Sequence, residues 1–298
     1  MADERRRYLE QQCELGGAEV ILSTPLDAPA RLPPVVVPAE PGAAAGEAAD
    51  GMEDGEMPAR KRSAARASRG QGAREKAKPA KSAGGEKWRK GAPPIPGPGT
   101  TVMPPEPMLL GNDLNNLDSL EEVAERIRTT YCCDLCPGRT NAVPGEGSPH
   151  ARMVLVGEGP GATEDATGRP FVGAAGQLLN SILEAIELRR EDVYITNIVK
   201  CRPPQNRKPL PDEIEACIPY LHRQLALIRP KVIVALGGTA GEALLGVRKS
   251  LGELRNKVHR YGRIPLVVTY HPAALLRNPN WKKPTWDDIR IARQLLDG

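Results

Sequence analysis

From Arg152 onward, short apolar β-branched runs alternate with longer stretches whose apolar residues recur at helical spacing, and this alternation restricts the chain to one fold class. Strands are expected at 153–156, 193–195, 231–236 and 266–269, and helices at about 175–187, from 211, at 238–245 and at 285–296. The first helix carries Leu178, Leu179, Ile182, Leu183 and Ile186 on one face, and the second Ile214, Cys217, Ile218, Leu221 and Leu225. Without tight hairpin signals between the strands, the pattern predicts an α/β domain with a parallel sheet covered on both faces. Ligands of such sheets bind beyond the carboxyl ends of the strands. Glu158, Asn197, Gly237-Gly238 and His271 each follow an expected strand directly, so four strand exits can converge on one pocket.

The first exit is the richest. Gly157, Gly159 and Gly161 with Pro160 break the strand sharply and let backbone approach a ligand, while Glu158, Glu164 and Asp165 set acids in the loop that follows. Three acids repel phosphate, and neither G-x-G-x-x-G nor a P-loop lysine is present, so a nucleotide-phosphate loop is disfavoured. Backbone donors beside a fixed carboxylate suit a polar heterocycle instead.

Composition divides the chain. Residues 1–24 suggest a helix at 3–15 and a strand at 19–22. Residues 25–112 are Ala/Pro/Gly-rich, acidic and then basic, and are expected to be a disordered linker; residues 113–298 hold the folded domain. Residues 59–90 carry twelve Lys or Arg against Glu75 and Glu86. That run, 60–90, suits non-specific, salt-sensitive contact with DNA, the plainer reading being a solvated linker. No segment has the apolar length of a membrane span and Met1–Tyr8 is charged, so a cytoplasmic protein is expected; separately, a monomer is expected.

In a reducing compartment, grouped cysteines more often bind metal than form disulfides. Cys133-x-x-Cys136 and Cys201-x15-Cys217 make two pairs, with Cys132 able to stand in for Cys133 or Cys136. Four thiolates suit structural zinc or an iron–sulfur cluster, and spacing alone does not choose.

The motifs at 157–165, 167–179, 194–204 (Tyr-Ile-Thr-Asn-Ile-Val-Lys-Cys-Arg-Pro-Pro) and 271–279 (His-Pro-Ala-Ala-Leu-Leu-Arg-Asn-Pro) strongly resemble the family 4 uracil-DNA glycosylases from about residue 118 to the C-terminus. The resemblance implies a three-layer α/β/α sandwich with a central four-stranded parallel sheet, a 4Fe-4S cluster, and excision of uracil from DNA as the start of base excision repair. It makes Glu158 and His271 the catalytic pair and places Glu164 where a 5-methyl group is excluded. Phe171 would stack on the base and Asn197 read its edge, with Gly157 and Gly159 beside them. One departure concerns the first cysteine pair: aligning on Leu135 and Arg139 makes Cys133 its second member and leaves Thr130 where the first belongs, so Cys136 or Cys132 must supply a ligand.

The chemistry agrees with these roles. A base must leave the duplex to be cut from its sugar, and a flipped base is held by stacking and edge hydrogen bonds. Phe171 is the chain's only Phe, and Asn197 offers the donor and acceptor that match uracil N3–H and O4, its plainer use being a turn cap. Cleavage leaves positive charge on the sugar and negative charge on the base, which calls for an anion such as Glu158 and a donor such as His271. Leu275 and Leu276 with Arg277 suit a loop that fills the vacated stack and meets phosphate, or a plain packing contact. Gln205, Asn206, Arg207 and Lys208 are candidates for DNA backbone contacts. Two other functions compete: a non-catalytic or covalently capturing iron–sulfur DNA binder, and a zinc-stabilised nucleotide module. Relatives that cross-link to DNA carry a histidine after the Asn motif, whereas residues 200–211 contain none.

Overall fold

The computed structural model describes residues 87–105 and 112–298. The expected helix at 3–15, the strand at 19–22 and nearly all of the basic run lie outside the described residues. In chain order the elements are β1 (Pro98–Val102), α1 (Leu120–Thr129), β2 (Glu146–Gly147), β3 (Met153–Gly157), α2 (Ala162–Thr167) and α3 (Ala174–Ala185). Then come β4 (Tyr194–Asn197), α4 (Pro211–Ile228), β5 (Val232–Leu236), α5 (Gly238–Leu245), β6 (Val258–Tyr261), β7 (Ile264–Thr269), α6 (Pro272–Arg277) and α7 (Lys282–Asp297).

One sheet runs β1-β6-β7-β5-β3-β4-β2, and its four central strands β7, β5, β3 and β4 are parallel, as expected. β3 and β5 are buried at every position, as suits parallel strands covered on both faces. Because side chains alternate across the sheet, Val154 and Val156 face one layer and Met153 and Leu155 the other. The first layer holds Val123 and Ile127 of α1, Leu221 and Leu225 of α4 and Leu244 of α5. The second holds Leu179 and Leu183 of α3 and Ile289 and Ala292 of α7. The result is the three-layer α/β/α sandwich. Among the described residues no helix is long and apolar enough to cross a membrane.

Three expectations about the chain's organisation change. The linker was expected to continue through residue 112, but Trp88 is 1% exposed against α7 and β1 pairs with β6. Arg290 and Gln294 of α7 donate to the carbonyls of Lys90 and Pro93. Composition hid this because a Pro-Gly-Thr-Thr-Val edge strand is held by backbone pairing and contributes little to the core. A hairpin also exists: β6 and β7 pair antiparallel across Gly262-Arg263, with Gly262 at φ 60°. The acid loop, finally, contains the short helix α2, so the chain is helical over 162–167.

Candidate active site and cysteine centre

The strand exits meet at a pocket of about 320 Å³. Glu158, Gly159 and Glu164 line it from the β3 side, Asn197 from β4, Gly237 from β5 and His271 from β7, joined by Phe171, Asn206, Arg207 and Arg277. Glu158, Gly159, Glu164, Phe171, Asn197 and His271 are thus brought together, and Gly157 adjoins them without lining the pocket, against Asn197 and Phe171.

Gly157 lies across from Asn197 in the β3–β4 register. A Cβ there would fall 2.4 Å from Asn197 Oδ1 and 2.6 Å from the Phe171 ring, so only glycine lets those two side chains meet. Asn197 is 1% exposed, and its Oδ1 has no hydrogen-bond partner among the described residues. Buried polar atoms are nearly always paired, so an orphaned amide oxygen in a pocket wall marks a place for a ligand donor.

Phe171 is the most elaborately held residue of the site. Its backbone sits at φ 50°, a left-handed conformation uncommon outside glycine. Glu164 Oε1 accepts from the backbone N–H groups of Val172 and Gly173, both at 2.9 Å. Arg190 donates to the carbonyls of Phe171, at 2.9 Å, and Pro170. Gly176 gives the Phe171 carbonyl its space, because a Cβ there would lie 1.8 Å from that oxygen. Arg190 is steadied by Glu146, which also pairs with Arg169 at 2.7 Å and is held below the usual carboxylate range by Arg169 and Arg190.

His271 caps α6, its Nδ1 accepting from Ala273 N–H at 3.2 Å, so the neutral ring carries its proton on Nε2. Burial lowers its pKa from 6.5 to about 4; Arg277 adds to the shift and Glu164 opposes it. The ring centroids of His271 and Phe171 are 5.4 Å apart. Glu158 lines the pocket; its backbone carbonyl accepts from Val199 N–H at 3.2 Å, while its carboxylate has no protein donor among the described residues.

Some site expectations divide. Asp165 turns inward and accepts from Thr140 N–H at 3.0 Å, so two acids rather than three face the pocket. Leu275 is core at 1% exposed, whereas Leu276 is 50% exposed, and both lie in helix α6 rather than in a loop. Arg277 lines the pocket but Leu276 does not. Asn206 and Arg207 line the pocket rather than the cysteine site, with Arg207 paired to Glu213 and Lys208 to Glu242.

Behind β4, five sulfurs gather. The Sγ atoms of Cys132, Cys133 and Cys136 lie within 4.8 Å of one another, and Cys136 Sγ is 3.6 Å from Cys201 Sγ. Cys132 also reaches Cys217, and these two share a small cavity with Cys201 that Cys133 does not line. Arg139 donates to Cys201 Sγ at 3.3 Å, and the Lys200 backbone N–H to Cys217 Sγ at 3.2 Å. Burial pushes the Cys201 and Cys133 thiols up to about 12. An all-sulfur donor set with N–H groups aimed at the sulfurs fits a thiolate-ligated metal centre. Sequence reasoning missed the roles of Lys200, Arg190 and Gly176; the signals available were the places of Lys200 in the motif at 194–204 and of Gly176 in the motif at 167–179.

Residues 144–290 match the Uracil DNA glycosylase superfamily. The chain is 47% identical to the Type-4 uracil-DNA glycosylase of Sulfurisphaera tokodaii over 190 residues, 60% of this chain and 86% of that protein. It is 50% identical to the Type-4 uracil-DNA glycosylase of Thermotoga maritima, over 59% of this chain and 94% of the relative. The Type-5 uracil-DNA glycosylase of Thermus thermophilus is 37% identical over 49% of this chain and 84% of its own length. With this pocket at its strand exits and these relatives covered nearly end to end, the chain belongs to the uracil-DNA glycosylase superfamily, among the type-4 enzymes.

Proposed function

We propose that this uracil-DNA glycosylase holds flipped-out uracil in the strand-exit pocket and hydrolyses the N-glycosidic bond, leaving an abasic site as the first step of base excision repair. The carrying observation is the buried, unpartnered Asn197 Oδ1 in a wall shared with Glu158 and His271. Uracil N3–H satisfies that oxygen, whereas cytosine presents an acceptor at N3 and leaves it orphaned. Phe171 supplies the stacking face. Glu164 fixes the turn that carries this ring and occupies the pocket wall on the side that excludes a 5-methyl group.

As the C1′–N1 bond breaks, its electron pair leaves with uracil and positive charge develops on the sugar. His271 donates from Nε2 to the uracil oxygen where negative charge accumulates, and its lowered pKa keeps the ring neutral while it does so. Glu158 stabilises the sugar cation and orients the water whose hydroxyl goes to C1′, accepting the proton released. Leu276 projects into the space that the flipped nucleotide leaves, and Arg277 meets the flanking phosphate.

We assign a 4Fe-4S cluster to Cys136, Cys201, Cys217 and Cys132: Cys136 for its 3.6 Å approach to Cys201 Sγ, and Cys132 over Cys133 because it lines the cavity with Cys201 and Cys217 and reaches Cys217. When bound, such a cluster ties the segment around Cys132–Arg139 to the chain after β4 and to α4; it is structural in this reading. Incubation with a uracil-containing oligonucleotide and its thymine counterpart, followed by alkaline cleavage, tests the function. Strand scission with uracil alone is expected, and scission of both or neither contradicts it.

A further inference from the structure

Lys200 is buried at 1% exposure, with its Nζ beneath the residue that reads the base. Its three ammonium hydrogens have three acceptors: Thr196 Oγ1 at 2.6 Å, the Asn197 carbonyl at 2.8 Å and Gln224 Oε1 at 2.9 Å. Those acceptors are fixed in turn. Thr196 Oγ1 donates to the Pro144 carbonyl, and Gln224 Nε2 donates to the same carbonyl and to the Tyr194 hydroxyl. With every hydrogen engaged and no solvent access, this lysine is no nucleophile. Its backbone faces the other way: the N–H donates to Cys217 Sγ at 3.2 Å, the carbonyl accepts from Val143 N–H at 2.8 Å, and Cys201 follows directly.

We propose that Lys200 is a positioning residue that locks the Asn197 peptide against the cysteine-bearing segment, and so sets the direction in which the Asn197 amide meets uracil. The proposal rests on the reading of Asn197 as the base-reading residue. Burying an ammonium is costly, and a Met of similar length would fill the space without it; what Met cannot do is hold the carbonyl of Asn197. Hydrogen bonds from a charged donor are among the stronger ones, so the carbonyl is firmly fixed.

The experiment uses the full-length iron-loaded protein and compares Lys200→Met and Thr196→Val with wild type. Inhibition of excision by free uracil is measured beside binding to abasic-site DNA and visible absorbance of the cluster. Lys200→Met is expected to weaken uracil inhibition on the order of tenfold or more while abasic-DNA binding and absorbance persist. Thr196→Val, which removes one acceptor isosterically, is expected to shift uracil inhibition the same way by less. Unchanged uracil inhibition in Lys200→Met overturns the proposal. If that variant loses absorbance, unchanged uracil inhibition in Thr196→Val overturns it instead. A wild-type protein that excises no uracil defeats the functional reading itself before either variant is compared.

Discussion

The imidazole of His271 and the ring of Phe171 stand 5.4 Å apart in the lining of the pocket, His271 held by the Ala273 N–H and Phe171 by Glu164 and Arg190 bonds to the backbone of its turn. The His271 side of this pair has a measurable pH signature. Its folded pKa, about 4, lies below the 6.5 of an ordinary histidine because of burial. Excision therefore has no His271-dependent loss between pH 8 and 5. Because the unfolded chain takes up this proton first, the His271 contribution to stability is complete above about pH 6.5 and is lost as pH falls toward 4. Single-turnover rates and denaturant midpoints across that range check both statements. His271→Ala should slow single-turnover excision by about 100- to 1000-fold, the usual effect of removing one transition-state donor.

Gly157→Ala is a sharper steric test. Its Cβ would fall 2.4 Å from Asn197 Oδ1 and 2.6 Å from Phe171, so both must shift. Excision should drop by about 100-fold or more, the scale of an ångström-sized misplacement. Far-ultraviolet circular dichroism should stay unchanged, because the strand itself is not broken.

The cysteine centre makes a pairwise prediction. Cys132 shares the cavity with Cys201 and Cys217, whereas Cys133 contacts Cys136 from outside that cavity. Cys132→Ser should lose iron and visible absorbance, and Cys133→Ser should keep both. Iron and acid-labile sulfide analysis after anaerobic purification reads the result; stoichiometric zinc in place of iron would replace the cluster with a structural zinc site.

On the DNA side, Arg277→Ala should weaken binding about equally across sequences and reduce the salt slope by about one, as loss of one phosphate contact does. Leu276→Ala, at an exposed helical position, should slow excision from duplex DNA more than from a single strand, since only the duplex has a stack to fill. Fluorescence anisotropy over a salt series and parallel excision assays check these outcomes.

Much of this site was legible in the sequence because β-branched runs located the strands, and the residue after each strand of a parallel sheet points to its binding end. Glu158, Asn197 and His271 were placed by that rule alone. What escaped has physical causes. β1 is a Pro-Gly-Thr-Thr-Val edge held by pairing with β6, so its side chains carry little apolar signal. Asp165 and Leu275 look like their neighbours in sequence, and only the turn of a short helix separates the buried one from the exposed one. Lys200 was hidden because burial of an ammonium depends on Thr196, Asn197 and Gln224, and Gln224 comes from a distant helix.

A crystal structure of the protein with free uracil puts the account to its most direct test. Uracil should lie on the Phe171 ring with N3–H donating to Asn197 Oδ1 and a carbonyl oxygen accepting from His271 Nε2. Uracil bound elsewhere, or lying in the pocket with Asn197 Oδ1 still unpaired, would contradict it.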